Sequence, residues 1–292
     1  MSDFLQLIVS GTATGSCYAL AALGFTLLWQ ASGTINFALG EMVMLPAFIM
    51  LFCLAQLGLP LPLAFAATML ISMAVLGFGF KRAVVDPMIQ HGVIPLVIAT
   101  LGLSIALKQT VRIAYSAQVY TFPSIFSETL VNWGGVRLSF SDIGTVLVAG
   151  GLVAGLQAFL NGTLTGRAMQ AVAQNREAAV VLGIDAQRMV LYAFLINAAL
   201  AATTALLVTP SYLAKFDMGD TIGLKAFYAA IIGGFNNSRG ALLGGVIVGV
   251  SENLVGAYIS PGYKDGVALV LFMAVILFKP EGLLGRPEER KV

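Results

Sequence analysis

The sequence predicts an all-α, polytopic membrane protein with about eight or nine transmembrane helices, and three observations lead to that fold class. Of the 292 residues, 58% are hydrophobic and only 10% are charged, whereas soluble domains carry about a quarter charged residues. The mean hydropathy is +0.90, so the chain could not cover a water-facing surface. Several apolar stretches are near the length of roughly 20 residues that a helix needs to cross a bilayer.

The apolar segments are separated by breaks rich in Gly, Pro and charge. In chain order we expect them near residues 5–29, 36–58, 60–80, 93–113, 141–160, 190–212, 222–236, 240–260 and 265–279. Segment 222–236 is short for a full span, so it either crosses the membrane or dips in and returns. No polar stretch is long enough for a large soluble domain, so residues 1–292 are expected to form a single transmembrane domain.

Two segments between the spans have a composition of their own. Segment 161–189 is Ala-rich and charged, and the positive-inside rule places it in the cytoplasm with the loop after residue 80 and the C-terminal tail. Counting every apolar segment as a crossing then puts the N-terminus outside. Segment 114–140 is aromatic and β-branched, and we expect a hairpin or partial helix at the outer interface. It is either an ordered loop without a specific role or a surface for a substrate-delivering partner.

The motifs of catalysis and nucleotide binding are missing from the sequence. There is no P-loop of the GxxxxGK type, and GxSxG, HExxH and CxxC are absent as well. His91 is the only histidine, so a His-based metal site or triad is not available. No nucleophile–base pair can be named, so we expect no catalytic residue, no metal and no cofactor. The chain is therefore not expected to be an enzyme, which leaves a transport or channel role.

A few polar residues lie inside apolar segments, where a carboxylate costs about 2.5–3.5 kcal/mol on insertion scales. Asn36 and Glu41 lie at the start of the second segment, and Glu41 is expected only about 7 Å from its cytoplasmic end. Glu41 is either a gate or structural lock, or a snorkelling or internally bonded residue. Glu252 and Asn253 lie deeper and should face another helix or a cavity. Lys108 lies near the outer end of its segment and is expected to snorkel.

Four stretches of the sequence resemble one family. "GRAMQAVAQNREAAVVLGIDAQRM" (166–189) resembles the cytoplasmic coupling segment of branched-chain amino acid ABC transporter permeases, the leucine-isoleucine-valine permease family. "TINFALGEMVML" (34–45) resembles that family's NFAxGE-type stretch, and "GLKAFYAAIIGGFNNSRGALLGGVIVGVSE" (223–252) its GLKAF stretch. "LFKPEGLLG" (277–285) resembles its C-terminal end. The chain departs from the family at Leu39, where a His is frequent, and in the turn "FNNSRG".

The resemblance implies an ABC importer permease fold with pseudo-repeated halves, in the bacterial cytoplasmic (inner) membrane. It implies four partners besides the lipid bilayer: a homologous second permease chain, two cytoplasmic ATPase subunits and an external or periplasmic substrate-binding protein. No nucleic-acid partner is expected. The implied function is ATP-driven import of branched-chain or other hydrophobic amino acids. Three alternatives stay open: a permease of the same family for amides or urea, an ion-coupled secondary transporter, and a channel or membrane scaffold without energy coupling.

The resemblance also assigns roles to residues of this chain. The residues expected to couple the chain to the ATPase are Gly166, Arg167, Ala168, Ala171, Gln174, Arg176, Glu177, Ala178, Ala179 and Gly183. The residues expected along the translocation path or at its gate are Asn36, Glu41, Gly233, Gly234 and Asn236, the last three near the cytoplasmic end. Glu252 and Asn253 are expected to hold neighbouring helices in register rather than to bind substrate.

Overall fold

A computed structural model describes residues 2–126, 129–133, 136–235 and 237–285, and nearly all of them are helical. The main helices are α1 (Ser2–Ser32), α2 (Leu39–Ala55), α3 (Leu61–Ser72), α4 (Asp86–Met88), α5 (Val93–Tyr115), α6 (Phe140–Gly162), α7 (Leu164–Gln174), α8 (Arg176–Val181), α9 (Ala186–Tyr212), α10 (Met218–Gly233), α11 (Ser238–Tyr258) and α12 (Lys264–Phe278). Helix α3 continues into α4 through π-helical turns at Met73–Gly79 and Lys81–Val85.

The predicted fold class is confirmed by the length and composition of these helices. Seven helices in the described part of the chain are long and apolar enough to cross a bilayer. They span Asp3–Ser32, Leu61–Met88, Val93–Tyr115, Phe140–Gly162, Ala186–Tyr212, Ser238–Tyr258 and Pro261–Phe278. Helices α2 and α10 are shorter, with 17 and 16 residues. With these two, the helices account for every apolar segment predicted from the sequence.

Between α5 and α6 the chain forms an antiparallel hairpin of two short strands, β1 (Leu130–Trp133) and β2 (Val136–Ser139). Of the two forms expected for segment 114–140, the structure has the hairpin. Residues 127–128 and 134–135 of that segment lie outside the described residues. Its position at the outer interface stays a prediction.

The chain folds into two compact units, and each is assembled from separated parts of the sequence. Unit 1 comprises residues 1–26, 124–154 and 224–292, and unit 2 comprises residues 27–123 and 155–223. Neither unit is therefore an N-terminal or C-terminal half of the chain. Helices α1, α6 and α10 each contribute residues to both units.

Unit 1 is held together by helices whose backbones approach closely at glycines. A Cβ atom at Gly15 of α1 would lie 2.5 Å from the carbonyl oxygen of Gly245 in α11, and one at Gly11 would lie 2.7 Å from the Cα atom of Val250. Real Cβ atoms do not approach backbone atoms this closely, so the α1–α11 contact depends on the missing side chains. Small residues serve helix association in membranes because lipid provides no hydrophobic driving force between helices.

Unit 2 is built around α9, whose side chains are buried along most of its length. Helix α2 packs on α9 and is buried over most of its first half. Phe194 of α9 packs against Phe80, with ring centroids 5.6 Å apart. On α2, Phe48 packs against Tyr115 at the end of α5, with centroids 4.9 Å apart. These contacts fix where α2 lies along α5, which decides the depth of its polar residues.

The α1–α11 contact leads to a stability prediction for Gly245→Ala. The added methyl group would lie 2.5 Å from the backbone nitrogen of Ala19 and 2.6 Å from the carbonyl oxygen of Gly15. We expect a loss of about 1–3 kcal/mol, as for other overpacked sites, measured as a lower thermal unfolding midpoint in detergent. Gly150→Ala is the matched control, because a Cβ atom at Gly150 of α6 meets nothing within 4 Å. Equal midpoints for both variants would contradict the close contact.

Candidate functional site

Helix α2 begins beside the interior of α5 because the chain turns back after α1. The turn 33–38 starts with Gly33 at a φ of 68°, in the left-handed region that favours glycine. The side-chain oxygen of Asn36 accepts a hydrogen bond from the backbone N–H of Ala38 at 3.0 Å. The backbone N–H of Phe37 donates to the hydroxyl of Thr100, which is one turn before the middle of α5. The turn therefore lies level with the interior of a membrane span.

Glu41 follows in the first turn of α2 and is 2% exposed. Its carboxyl group interacts with the side chains of Ser104, the central residue of α5, and of Asp220. The sequence placed Glu41 only about 7 Å from the cytoplasmic end of its segment. Glu41 does lie in the first turn of α2, and its depth in the membrane stays a prediction. The turn 33–38 brings the start of α2 beside the interior of α5, because the backbone N–H of Phe37 donates to Thr100. Glu41 lies near the middle of the α5 span.

Helix α10 begins at almost the same level and with the same sequence pattern as α2. In both helices the second residue is Gly and the third is acidic: Gly40 and Glu41 in α2, Gly219 and Asp220 in α10. The two starts touch, since a Cβ atom at Gly219 would lie 2.8 Å from the carbonyl oxygen of Gly40. At Gly223, one turn further, a Cβ atom would lie 2.7 Å from the Cα atom of Gly40. The glycines thus bring the two carboxyl groups together.

A lysine from α5 completes this cluster. The ammonium group of Lys108, one turn beyond Ser104, forms an ion pair with Asp220. Lys108 and Arg112 also lie over the ring of Phe216, at 6.0 and 5.5 Å from its centroid. The expectation that Lys108 snorkels to the membrane surface is wrong. Helical side chains lean towards the N-terminus of their helix, and here that direction leads Lys108 to Asp220.

The electrostatics of the cluster indicate water or protein in front of it. The side chain of Asp220 is 51% exposed and that of Lys108 is 25% exposed. A charged side chain near the bilayer centre costs about 2.5–3.5 kcal/mol or more when it faces lipid. Such groups in membrane proteins face a bundle interior or a water-filled cavity. Interrupted or short helices whose starts meet near the midplane occur at the substrate sites of other transporters.

Unit 1 holds a second charged cluster, in which the Lys225–Glu252 pair is buried while Asp265 is exposed. Lys225 of α10 lies with its ammonium group 3.0 Å from Glu252 of α11 and 2.9 Å from Asp265 at the start of α12. The hydroxyl of Tyr18 donates to the second oxygen of Glu252 at 3.0 Å. Lys225 and Glu252 are 5% and 2% exposed. Glu252 thus faces other helices, as its position in the sequence indicated, while Asn253 is half-buried. Their role in helix register stays a prediction.

Segment 161–189 forms α7, α8 and the start of α9, and each helix begins at a capping side chain. Thr163, Asn175 and Asp185 accept hydrogen bonds from backbone N–H groups of the following first turns, at 2.9 to 3.1 Å. One face of the segment is an apolar cluster of Val172, Ala179 and Ala186, against which Ile184 and Met189 pack.

The opposite face of this segment is exposed. Of the predicted coupling residues, Arg167, Gln174, Arg176, Glu177, Ala178 and Gly183 are exposed, Ala168 and Ala171 are half-buried, and Gly166 and Ala179 are buried. Gly166 packs on the backbone of Leu160, and Ala179 belongs to the apolar cluster. The sequence reasoning missed the apolar part of the exposed face: Leu164 is 85% exposed, Val181 86% and Leu182 79%.

The glycines predicted near the cytoplasmic end of the path are buried by backbone contacts. Gly233, at the end of α10, lies against the backbone of Gly240. Its carbonyl oxygen accepts a hydrogen bond from the backbone N–H of Leu284 at 3.0 Å. A Cβ atom at Gly234 would lie 2.5 Å from the backbone nitrogen of Gly285. Asn236 lies outside the described residues. A place for these residues along the path stays a prediction.

Lys108 and Asp220 are the site residues that sequence reasoning missed. They are 112 residues apart, so no local pattern joins them. One signal was available: the pattern Phe37, Gly40, Glu41 recurs at the same spacing as Phe216, Gly219, Asp220. A repeated Gly–acid pair at the start of two short helices indicates equivalent positions in an internal repeat.

Comparison with known proteins gives consistent matches over the chain. The model of the family described as "Branched-chain amino acid transport system / permease component" matches residues 7–276. The chain is 36% identical to the high-affinity branched-chain amino acid transport system permease protein BraD of Pseudomonas aeruginosa, over 99% of this chain and 98% of BraD. It is 33% identical to the permease protein LivH of the corresponding high-affinity system of Escherichia coli, with the same coverage.

Among solved structures, the chain is similar to that of PsaBC from Streptococcus pneumoniae in complex with Fab. The match covers 95% of this chain and 92% of that chain, with a TM-score of 0.50. Because the sequence identity is 13%, this likeness concerns the fold alone.

The buried ion pair of Lys225 and Glu252 leads to a stability prediction for Lys225→Met. This change leaves the carboxylate of Glu252 buried without its cation, and breaking a buried ion pair from one side costs about 3–5 kcal/mol. The double variant Lys225→Met/Glu252→Gln removes both charges and should recover most of that loss. Thermal unfolding of the purified variants in detergent measures both effects. A double variant no more stable than the single one would contradict a pairing of these two residues.

Proposed function

The chain belongs to the family of permease components of branched-chain amino acid transport systems, and on that basis we propose that it is the membrane-spanning permease subunit of an ATP-driven importer of branched-chain or other hydrophobic amino acids. The relatives BraD and LivH are named as permeases of such systems and align with nearly the whole chain. They are transport components rather than enzymes, in agreement with the absence of catalytic motifs in this sequence. The polar cluster at the starts of α2 and α10 is the structural observation that carries a transport role.

The proposed assembly contains this chain, a homologous second permease chain, two cytoplasmic ATPase subunits and an external substrate-binding protein. The lack of a P-loop in this chain supports separate ATPase subunits. The assembly would lie in the bacterial cytoplasmic membrane as a multi-pass complex. The C-terminal tail of this chain would be cytoplasmic. This orientation is favoured by Arg286, Arg290 and Lys291, which lie outside the described residues.

The proposed docking site for the ATPase is the exposed face of segment 161–189. This face combines the charges of Arg167, Arg176 and Glu177 with the exposed apolar side chains of Val181 and Leu182. Apolar side chains exposed outside the membrane spans favour a protein contact. The buried Val172–Ala179–Ala186 cluster would transmit a push on α7 and α8 directly to α9.

The proposed translocation path passes the starts of α2 and α10, with Asn36 and Glu41 as gate residues. The turn 33–38 supports a gate, because it contacts α5 through the hydrogen bond from Phe37 to Thr100 and lies directly before Glu41. Gly233, Gly234 and Asn236 are proposed for the cytoplasmic end of the path. Glu252 and Asn253 would keep helix register outside it, which the closed ion pair of Glu252 with Lys225 supports.

The transport proposal is tested by leucine uptake into proteoliposomes that hold the complete complex. We expect uptake only with ATP inside, on the ATPase side, and with the binding protein outside. Collapse of ion gradients should leave uptake unchanged, and an excess of urea or a simple amide should not compete with leucine. Uptake by this chain alone, driven by an ion gradient, would show a secondary transporter instead.

The docking proposal is tested with Arg167→Glu and Glu177→Lys. Both side chains are exposed, so the variants should fold and insert normally, while like-charge contacts with the ATPase cost several kcal/mol. ATP-driven uptake should then fall below about 1% of wild type for a loss of roughly 3 kcal/mol.

Arg82→Glu is the control for this pair, because Arg82 is an exposed cation in the π-helical turn Lys81–Val85, on the same predicted side of the membrane. It should retain uptake. Wild-type uptake and ATPase stimulation in both docking variants would place the ATPase elsewhere.

A further inference from the structure

The ion pair of Lys108 and Asp220 differs from the pair of Lys225 and Glu252 in its access to solvent. In the pair Lys225–Glu252 the side chains are 6% and 3% exposed. In the pair Lys108–Asp220 they are 25% and 51% exposed. The side chains of the first pair are enclosed by other helices. The second is open on one side, near the middle of the α5 span, so its two charges can also meet a molecule that arrives from that side.

The groups around the open pair complement an apolar amino acid in its zwitterionic form. On one side stand two cations, Lys108 and Arg112, one turn apart on α5 and both over the ring of Phe216. On the other side stand two carboxyl groups, Asp220 and the buried Glu41, which interact with each other. A zwitterion carries one carboxylate, one ammonium group and a hydrocarbon side chain. The cluster offers a partner to each of these three.

We propose that the transported amino acid inserts into the Lys108–Asp220 ion pair. Its carboxylate binds the ammonium group of Lys108, its ammonium group binds the carboxylate of Asp220, and its apolar side chain lies against Phe216. Arg112 and Glu41 reinforce the two halves of the site. This inference rests on the proposed function and names the residues that recognise the substrate of that function.

The exchange is physically reasonable because one internal ion pair opens and two ion pairs with the substrate form. When the internal pair opens, each partner meets an opposite charge of the substrate, so no charge is left unpaired in a medium of low dielectric constant. When the substrate leaves, the internal ion pair forms again, and its formation offsets the loss of the contacts with the substrate. Urea or an amide has no net charges to replace either partner. The open ion pair therefore favours an amino acid over these neutral substrates.

The test compares leucine uptake, assembly and thermal unfolding for complexes with changes at these two positions. The charge-exchanged variant Lys108→Asp/Asp220→Lys keeps an ion pair but inverts its direction. If the pair binds the zwitterion, leucine uptake by the exchanged variant stays at least about tenfold below wild type, which is the loss expected for one charge-assisted hydrogen bond. The unfolding midpoint and the co-purification of the partner subunits should recover relative to either single variant. Uptake within about twofold of wild type in the exchanged variant would show a purely structural pair and overturn the proposal.

Neutral variants decide the question where the exchanged variant does not assemble. Lys108→Met and Asp220→Asn keep the approximate shape of each side chain and remove one charge each. Both should assemble and lose about tenfold or more in uptake, and wild-type uptake in either one would overturn the proposal. Lys81→Asp/Asp86→Lys is the matched control: it inverts another ion pair of unit 2, 2.8 Å long, and should keep uptake. Absence of leucine uptake in the wild-type complex itself would instead refute the proposed function.

Discussion

Gly40 and Gly219 hold the first turns of α2 and α10 against each other, because neither residue carries a side chain that would separate the two backbones. Each glycine is followed directly by an acidic residue, so the contact also brings Glu41 and Asp220 together. Ser104 and Lys108 of α5 then fall within reach of these carboxyl groups. A single backbone contact thereby sets the depth, the partners and the exposure of every charged group in the site.

The two charged clusters show how the same kind of chemistry serves different ends in a membrane protein. Lys225 and Glu252 form a buried ion pair, to which Tyr18 adds a hydrogen bond. These contacts offset the cost of removing the two charges from water. Lys108 and Asp220 satisfy one another beside an open surface. A charge pair that is complete without substrate and still accessible can exchange partners, and this difference in access is what separates a structural pair from a candidate binding site.

The sequence predicted the fold class and every apolar helix, because composition and segment length report directly on the bilayer. It did not predict that Glu41 lies beside Ser104 of α5, since nothing local marks the contact of the turn 33–38 with α5. It also did not predict that Lys108 meets Asp220, because pairs so distant in sequence form only through the packing of α5, α2 and α10. In segment 161–189 the charges of Arg167 and Glu177 are exposed as expected, whereas Ala179 is buried because the helical period turns it inward.

The level at which α2 and α10 begin is the most direct test of this account, and an experimental structure of the complete complex in a lipid nanodisc measures it. We predict that the backbones of Gly40 and Gly219 touch beside Ser104 and Lys108, in the middle of the bilayer, with the Lys108–Asp220 pair closed in the absence of substrate. A structure in which α2 starts at the membrane surface, level with Val93, and in which Glu41 and Asp220 are far apart would contradict it.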